Sequence, residues 1–189
     1  MLGPTKLIPA KMTTGFGRAV AVACVALLTA VSVRAADLPT TFDPARNAAR
    51  DVEQALLLAK TQGKRVIVDV GGEWCTWCHI LDRFVAENAD VRDIVDAQFV
   101  WLKVNYSKQN ENVAVLSRWP KVPGYPHLFV LDSGGGIVLS QDTGLLESGR
   151  TYDKRRFLDF LARAAATQPS RAASGYGPFG LVGPPMRVL

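Results

Sequence analysis

The spacing of apolar residues predicts that helices and strands alternate along this chain. Between Asp43-Pro44, which has the form of an N-cap followed by a first-turn proline, and Gly63, apolar residues recur at helical spacing. The run from Val66 to Val70 is mostly apolar, which is typical of a buried strand. The folded region is therefore expected to start with a helix followed by a strand.

The same analysis extends to residue 166. It predicts a helix from about Cys75 to Asn88, a short helix over 90–97, a strand over 99–106, a short helix over 112–119, strands over 127–131 and 137–140, and a last helix capped by Asp153. The glycine-rich turn over 132–136 joins the last two strands as a β-hairpin. Helices that flank a sheet with a parallel part and a hairpin form a layered α/β fold.

Three stretches fall outside this pattern. Residues 1–35 combine basic residues, a 15-residue uncharged and mostly apolar run, and small residues near Ala35, which is typical of a cleaved secretory signal peptide. Residues 36–43 are predicted as a linker, 44–166 as the domain, and the glycine- and proline-rich residues 167–189 as a disordered tail. An uncleaved membrane anchor is the alternative, although the apolar run is short for a span. The protein is therefore expected to be exported, to the periplasm.

The distribution of charge argues against nucleic-acid binding. The chain has 22 basic and 17 acidic residues, a formal net charge of +5. Four of the basic residues and none of the acidic ones precede Ala36, so the remainder carries 18 basic against 17 acidic residues, a net charge of +1. A nucleic-acid-binding protein should carry a basic stripe on its folded part, and the sequence shows none.

The candidate chemistry lies in Trp74-Cys75-Thr76-Trp77-Cys78-His79, at the start of the second predicted helix. A helix N-terminus offers free backbone N–H groups and the positive end of the dipole, which lower the pKa of a thiol such as Cys75. Cys78 is placed to close a small ring onto Cys75 as a reversible disulfide. If residues 1–35 are removed, Cys24 goes with them and only this pair remains. A purely structural bond is disfavoured, because a loop this short stabilises little.

Three separated segments resemble the thioredoxin family, in order and in context. They are Val68 to Cys78, which resembles the strand, acidic residue and Cys-x-x-Cys run; Trp101 to Asn105, which resembles a central strand with an inward lysine; and Val122 to Pro126, which resembles the cis-proline loop. The resemblance covers about 44–166. It implies a three-layer α/β/α fold with a mixed central sheet and a C-terminal β-hairpin plus helix. The Trp-Cys-x-Trp-Cys form is more similar to the exported branch of the family than to cytosolic thioredoxin.

The resemblance also implies catalytic roles for four residues. Cys75 would be the attacking thiol and Cys78 the resolving one. Asp69 would be a partly buried acid whose pKa is raised by burial, so that it can accept a proton when Cys78 is deprotonated. Lys103 would pair with Asp69 and restrain that shift. The activity implied is thiol–disulfide exchange, with no metal and no cofactor besides the redox-active disulfide.

A substrate-binding rim is implied by the same resemblance. Its residues would be Trp74, Trp77, Tyr125 and Pro126. Pro126 in cis would expose backbone groups of Tyr125, where a substrate peptide can add as a strand, and the tryptophans would give an apolar edge. The partners would be proteins with thiols or disulfides, and a membrane protein could supply or accept electrons.

Three features depart from the family pattern. Thr76-Trp77 replaces the commoner residues between the cysteines, His79 stands where lysine is common, and Tyr125 is bulkier than the usual residue before the cis-proline. The dipeptide between the cysteines tunes the redox potential. The sequence therefore leaves open whether the protein oxidises, reduces or isomerises disulfides, and which substrate it uses.

Other interpretations of the motif remain. Cys75 to His79 also fits a c-type haem attachment site, with Met186 or His127 as second axial ligand, although the strand before it does not suit a small helical cytochrome. Zinc binding by Cys75, Cys78, His79 and His127 would place two ligands side by side, unlike the usual spacing. A non-catalytic adaptor on a thioredoxin scaffold is the third alternative, and the intact cysteine pair argues against it.

Overall fold

The computed structural model describes residues 38–166, so the predicted signal peptide and the predicted tail lie outside the described residues. The helices are α1 (Ala48–Gln62), α2 (Thr76–Glu87), α3 (Ala89–Gln98), α4 (Val113–Leu116) and α5 (Lys154–Ala166). The strands are β1 (Arg65–Gly71), β2 (Phe99–Asn105), β3 (His127–Leu131), β4 (Ile137–Asp142), β5 (Glu147–Ser148) and β6 (Thr151–Tyr152). All the predicted helices and strands are present. The 3-10 helix Thr143–Leu146 and the short pair β5–β6 are additions, too short to leave a periodic signal.

A mixed sheet forms the centre of the domain, with the strand order β2-β1-β3-β4. β1 pairs in parallel with β2, whereas β1 with β3 and β3 with β4 are antiparallel, so the predicted hairpin is confirmed. Parallel neighbours need a long connection, and α2 and α3 supply it between β1 and β2. The N-terminus of α2 consequently lies just beyond the end of the central strand β1.

Helices pack on both faces of the sheet, as a three-layer α/β/α arrangement requires. One buried cluster joins α1 and α4 to one face, and its members include Leu56, Ala59, Val68, Leu102 and Phe129. A second cluster joins α2, α3 and α5 to the other face, and its members include Ile67, Leu81, Val95, Leu128 and Phe157. Because side chains alternate along a strand, Asp69 shares the face of Ile67 and therefore points towards α2.

The N-terminal boundary differs from the prediction. α1 begins at Ala48 rather than near Pro44, because the side chain of Asn47 accepts a hydrogen bond from the Arg50 backbone and caps the helix. Asp43 instead accepts a hydrogen bond from the Ala45 backbone at 2.8 Å, within a local turn. Leu38 and Phe42, which belong to the predicted linker, are buried. Residues 38–47, here called the N-terminal segment, are thus packed on the domain without regular structure.

Across residues 38–166, no helix is long and apolar enough to cross a membrane.

Candidate active site

Cys75 and Cys78 form a disulfide at the N-terminus of α2. Cys75 is the N-cap of the helix, and its Sγ accepts a hydrogen bond from the backbone N–H of Cys78 at 3.2 Å. Cys75 retains 4% of its exposure, whereas Cys78 is fully buried. When the disulfide opens, the free N–H groups and the helix dipole therefore favour negative charge on the sulfur of Cys75, the more accessible of the two.

Two glycines make room around this site: Gly71 lets the end of β1 approach the disulfide, and Gly72 leaves space for the Trp74 indole. A Cβ on Gly71 would collide with Sγ of Cys78 and lie 3.1 Å from the ring of Phe42. A Cβ on Gly72 would meet the indole of Trp74 and lie 2.9 Å from the carbonyl oxygen of Tyr106. Only glycine leaves room at these two positions, which explains why the strand ends in Gly71-Gly72 before the cysteine loop.

Asp69 is a fully buried carboxyl group on β1. Its Oδ2 accepts hydrogen bonds from Lys103 Nζ at 3.2 Å and from Trp101 Nε1 at 3.4 Å. Oδ1 is buried and has no hydrogen-bond partner in the described part of the chain. Burial raises the pKa of Asp69 to about 6, while the nearby charge of Lys103 opposes that rise. A carboxyl group in this state can exchange a proton near neutral pH.

Lys103 connects Asp69 to a second carboxylate on α2. Its Nζ lies 2.6 Å from Oδ1 of Asp82, whose side chain is 42% exposed, whereas the Lys103 side chain is 8% exposed. Burial acts to lower the pKa of Lys103, but the charges of Asp69 and Asp82 outweigh it and the pKa is raised. Sequence reasoning missed Asp82. Its spacing of four residues from Cys78, which places both on one side of α2, is the signal that could have found it.

Phe42 is the second residue that sequence reasoning missed. Its side chain is 1% exposed and forms a small buried cluster with Cys75 and Cys78. Lys103 Nζ lies 4.1 Å from the centroid of the Phe42 ring. The backbone N–H of Phe42 donates to Oε1 of Glu73 at 2.8 Å, which fixes the N-terminal segment beside the cysteine loop. The available signal was an aromatic residue in the short, linker-like stretch that precedes the first helix.

A group of aromatic side chains adjoins the disulfide through Tyr125, which packs against the cluster of Phe42 with the two cysteines. Trp74 is 58% exposed, donates from Nε1 to the Tyr106 carbonyl oxygen at 2.8 Å, and meets Tyr125 edge-on at 5.6 Å between centroids. Tyr125 stacks on Tyr106 at 4.9 Å. The Tyr125–Pro126 peptide bond is cis, as the resemblance implies. An open cavity of about 540 Å³ adjoins this group, and its lining residues are Trp74, Tyr106, Ser107, Lys108, Gln109 and Glu111.

Trp77 and Pro126 lie deeper than Trp74. Trp77 is partly buried, packs against the cluster of Phe42 with the two cysteines, and meets Tyr152 edge-on at 5.6 Å. Pro126 is buried, and its carbonyl oxygen accepts a hydrogen bond from Thr143 Oγ1 at 2.6 Å. Of the predicted rim residues, the structure therefore brings Trp74 and Tyr125 into contact at the surface, while Trp77 is partly buried and Pro126 is buried.

The two histidines are held by other groups. His79 Nε2 lies 2.9 Å from the carbonyl oxygen of Glu73, and His127 Nε2 lies 2.8 Å from Ser140 Oγ. His127 is buried on β3, where desolvation lowers its pKa. Within residues 38–166, no group of three or more His, Cys, Asp or Glu side chains is arranged to hold a metal ion. Met186 lies outside the described residues, and the motif follows a sheet strand, a context unlike that of a small helical cytochrome.

Comparison with known proteins places this site in context. Residues 47–133 match the model of a family described as thioredoxin-like. A thiol:disulfide interchange protein DsbD from Pseudoalteromonas atlantica is 26% identical over 99 residues, which cover 52% of this chain and 17% of that protein. A thiol:disulfide interchange protein DsbE from Pseudomonas aeruginosa is 28% identical over 116 residues, covering 61% of this chain and 54% of that protein. The chain thus spans about half of one relative and a smaller part of the other.

The fold is shared with a solved structure. A disulphide isomerase from Xylella fastidiosa Temecula1 superposes with a TM-score of 0.56 at 24% identity. The match covers 67% of this chain and 95% of that one. The resemblance inferred from the sequence is therefore matched by the backbone.

Proposed function

We propose that this chain, whose residues 47–133 match a thioredoxin-like family model, is an exported thiol–disulfide oxidoreductase. The observation that carries the proposal is the Cys75–Cys78 disulfide at the N-terminus of α2, next to the buried ion pair of Asp69 and Lys103. Export, to the periplasm, rests on the signal-peptide pattern of residues 1–35.

The exchange would proceed through a mixed disulfide. In the reducing direction, the Cys75 thiolate attacks one sulfur of a substrate disulfide, and the other substrate sulfur leaves as a thiolate that takes up a proton. Cys78 then loses its proton and attacks Cys75 Sγ, which releases the second substrate thiolate and re-forms the Cys75–Cys78 disulfide. Two electrons pass from the protein to the substrate. The oxidising direction follows the same steps in reverse.

Asp69 is proposed as the proton acceptor for Cys78. Its pKa of about 6 leaves it mostly ionised at neutral pH, yet far more basic than an exposed aspartate. Lys103 holds its carboxylate in place from the opposite position on β2. Asp82, which is partly exposed and bonded to the same ammonium, connects this buried pair to the surface.

Substrates are proposed to be proteins that carry thiols or disulfides. The exposed indole of Trp74 and the ring of Tyr125 give an apolar edge next to Cys75, and the cis peptide bond before Pro126 places the Tyr125 backbone where an extended segment could pair. The two curated relatives are named for thiol:disulfide interchange, which supports this substrate class. A membrane protein is proposed as electron donor or acceptor.

The test is two-electron exchange with glutathione. The full chain is equilibrated in glutathione buffers of defined ratio, quenched with acid and counted for free thiols by mass spectrometry after alkylation. Wild type and Cys24→Ser should both titrate as one dithiol–disulfide couple, whereas Cys75→Ser and Cys78→Ser should not. Absence of exchange in wild type would reject the proposal, and a sharp visible absorption band in the purified protein would favour haem attachment instead.

A further inference from the structure

We propose that Phe42 is a positioning residue for the redox reaction at Cys75–Cys78: its ring insulates the buried side of the disulfide from water and from the ammonium group of Lys103. The inference rests on the proposed function and extends it to a residue outside the cysteine motif. Phe42 lies 33 positions before Cys75 in the chain, in the N-terminal segment that precedes α1.

The Phe42 ring contacts two chemically different neighbours. It forms one buried cluster with Cys75 and Cys78, and it comes so close to Gly71 that a Cβ there would lie 3.1 Å from its Cζ atom. On its face, Lys103 Nζ lies 4.1 Å from the ring centroid. An ammonium at that distance is attracted to the electron-rich face of an aromatic ring. The ring therefore occupies space that the disulfide and the ammonium group both adjoin.

The N-terminal segment holds the ring in this position. The Phe42 backbone N–H donates to Glu73 Oε1 at 2.8 Å, so the segment is tied to the loop that carries the cysteines. Further along, Asn110 Nδ2 donates to the carbonyl oxygens of Pro44 at 2.9 Å and Arg46 at 3.2 Å. These bonds join the segment to the loop that follows β2. Lys103 lies on β2 itself. The placement of Phe42 is thus fixed from both sides of the site.

The ring controls which redox state is favoured. Opening the disulfide produces thiols that can ionise, and a thiolate is stabilised by water and by a nearby positive charge. Phe42 excludes water from Cys78 and keeps the Lys103 charge on the ring face and on its two carboxylate partners. Both effects disfavour the reduced form relative to the disulfide. Loss of the ring should therefore make the protein a stronger oxidant.

The experiment measures the equilibrium in which the protein disulfide and two glutathione molecules give the protein dithiol and one glutathione disulfide. For Phe42→Ala in the full chain, the constant should rise by about tenfold, equivalent to about 30 mV for a two-electron couple. Phe42→Leu fills part of the space without an aromatic face, and we expect a rise of roughly threefold, or about 14 mV by the same conversion. If the alanine variant does not fold, the leucine variant decides.

Phe160→Leu is the matched control. Phe160 is fully buried on α5, in the cluster on the α2, α3 and α5 face, and it lies outside the cluster of Phe42 with the cysteines. The Phe160→Leu variant should lower the Tm as Phe42→Leu does, but it should leave the glutathione equilibrium unchanged. An equal change in this control, or wild-type values in both Phe42 variants, would overturn the role of Phe42 and leave the proposed function standing. A wild-type protein that does not exchange with glutathione would overturn both.

Discussion

Asp69 and Lys103 lie directly opposite each other on the parallel strands β1 and β2, and their side chains form an ion pair buried in the face that α2 covers. The pairing of the two strands therefore places the Asp69 carboxyl group next to the Lys103 ammonium group, and no turn or loop is needed to position either side chain. Because Lys103 also binds Asp82 on α2, the pair joins the central strand to the helix that carries Cys75 and Cys78. Sheet register thus sets the electrostatics around the cysteines.

Replacing Asp69 with Asn should slow the resolving step. The amide keeps the shape of the side chain but cannot accept a proton, so deprotonation of Cys78 loses its nearby base. We expect release of substrate from the mixed disulfide to fall by roughly 10²-fold at neutral pH. Stopped-flow single turnovers with a dye-labelled disulfide peptide measure this rate separately from the attack by Cys75. Asp93→Asn, at an exposed position on α3, is the control and should keep the wild-type rate.

The same substitution should change how stability depends on pH. The pKa of Asp69 is about 6 in the folded protein and 3.8 for an unperturbed group, so between these values the folded state binds more protons than the unfolded state. Stability from this residue is therefore present below about pH 4 and is lost as pH rises through 6, a change of roughly 3 kcal/mol. Asp69→Asn lacks this dependence.

Urea unfolding of both proteins at several pH values isolates the contribution of Asp69. Wild-type stability relative to Asp69→Asn should decline by up to roughly 3 kcal/mol from pH 4 to pH 7. Other titrating groups are common to the two proteins and largely cancel in the difference. A difference that stays flat, or that grows in favour of wild type with rising pH, would show that Asp69 is not held at a raised pKa.

Trp74→Ala should weaken substrate binding without altering the redox equilibrium. The indole is more than half exposed, and its contacts are the edge of the Tyr125 ring, the Gly72 backbone and one hydrogen bond to the Tyr106 carbonyl oxygen, so its removal should cost the fold little. With a protein disulfide as substrate we expect KM to rise by about tenfold, equivalent to about 1.4 kcal/mol of contact energy. The glutathione equilibrium should not change. Leu57→Ala, an exposed apolar position on α1, tests whether any loss of exposed apolar surface has the same effect.

The sequence predicted the order of the elements well because their signals are local. The mostly apolar run from Val66 to Val70 is short and rich in β-branched residues, which favours a buried strand, and Gly71-Gly72 marks its end. The start of α1 was misplaced because Asp43-Pro44 and Asn47 both have the form of a helix start, and only the hydrogen bond to Arg50 decides between them. Two-residue strands such as β5 and β6 carry no periodicity at all.

The residues of the candidate site were likewise predicted only in part from the sequence. The positions of Cys75 and Cys78 follow from one helix start, and Asp69 and Lys103 were assigned through the family resemblance. Phe42 and Asp82 were missed by both routes, because their importance comes from contacts across the fold and the sequence carries only a weak signal for each. Phe42 reaches the site from an irregular segment whose path has no sequence signal.

The two cysteines should behave differently when each is replaced. Cys75 retains some exposure and caps α2, whereas Cys78 is fully buried and lies beside Gly71 and Phe42. In Cys78→Ser, attack by Cys75 is preserved and resolution is lost, so mixed disulfides with substrate proteins should accumulate and be released by a reductant. In Cys75→Ser, the remaining thiol of the pair, that of Cys78, is buried and should not reach a substrate, so no such complexes should form through this site.

The full-length variants are expressed in cells, where they can meet other exported proteins as substrates. Non-reducing gels and mass spectrometry then detect the mixed-disulfide complexes. Trapping at least tenfold greater in Cys78→Ser than in Cys75→Ser would support the assignment, because that ratio corresponds to about 1.4 kcal/mol of difference in access and reactivity. Equal trapping by both variants would mean that the exposed thiol has been assigned wrongly. Haem attachment predicts instead that both variants lose colour and trap nothing, and zinc binding predicts that both lose metal, so one pair of variants separates the three chemistries.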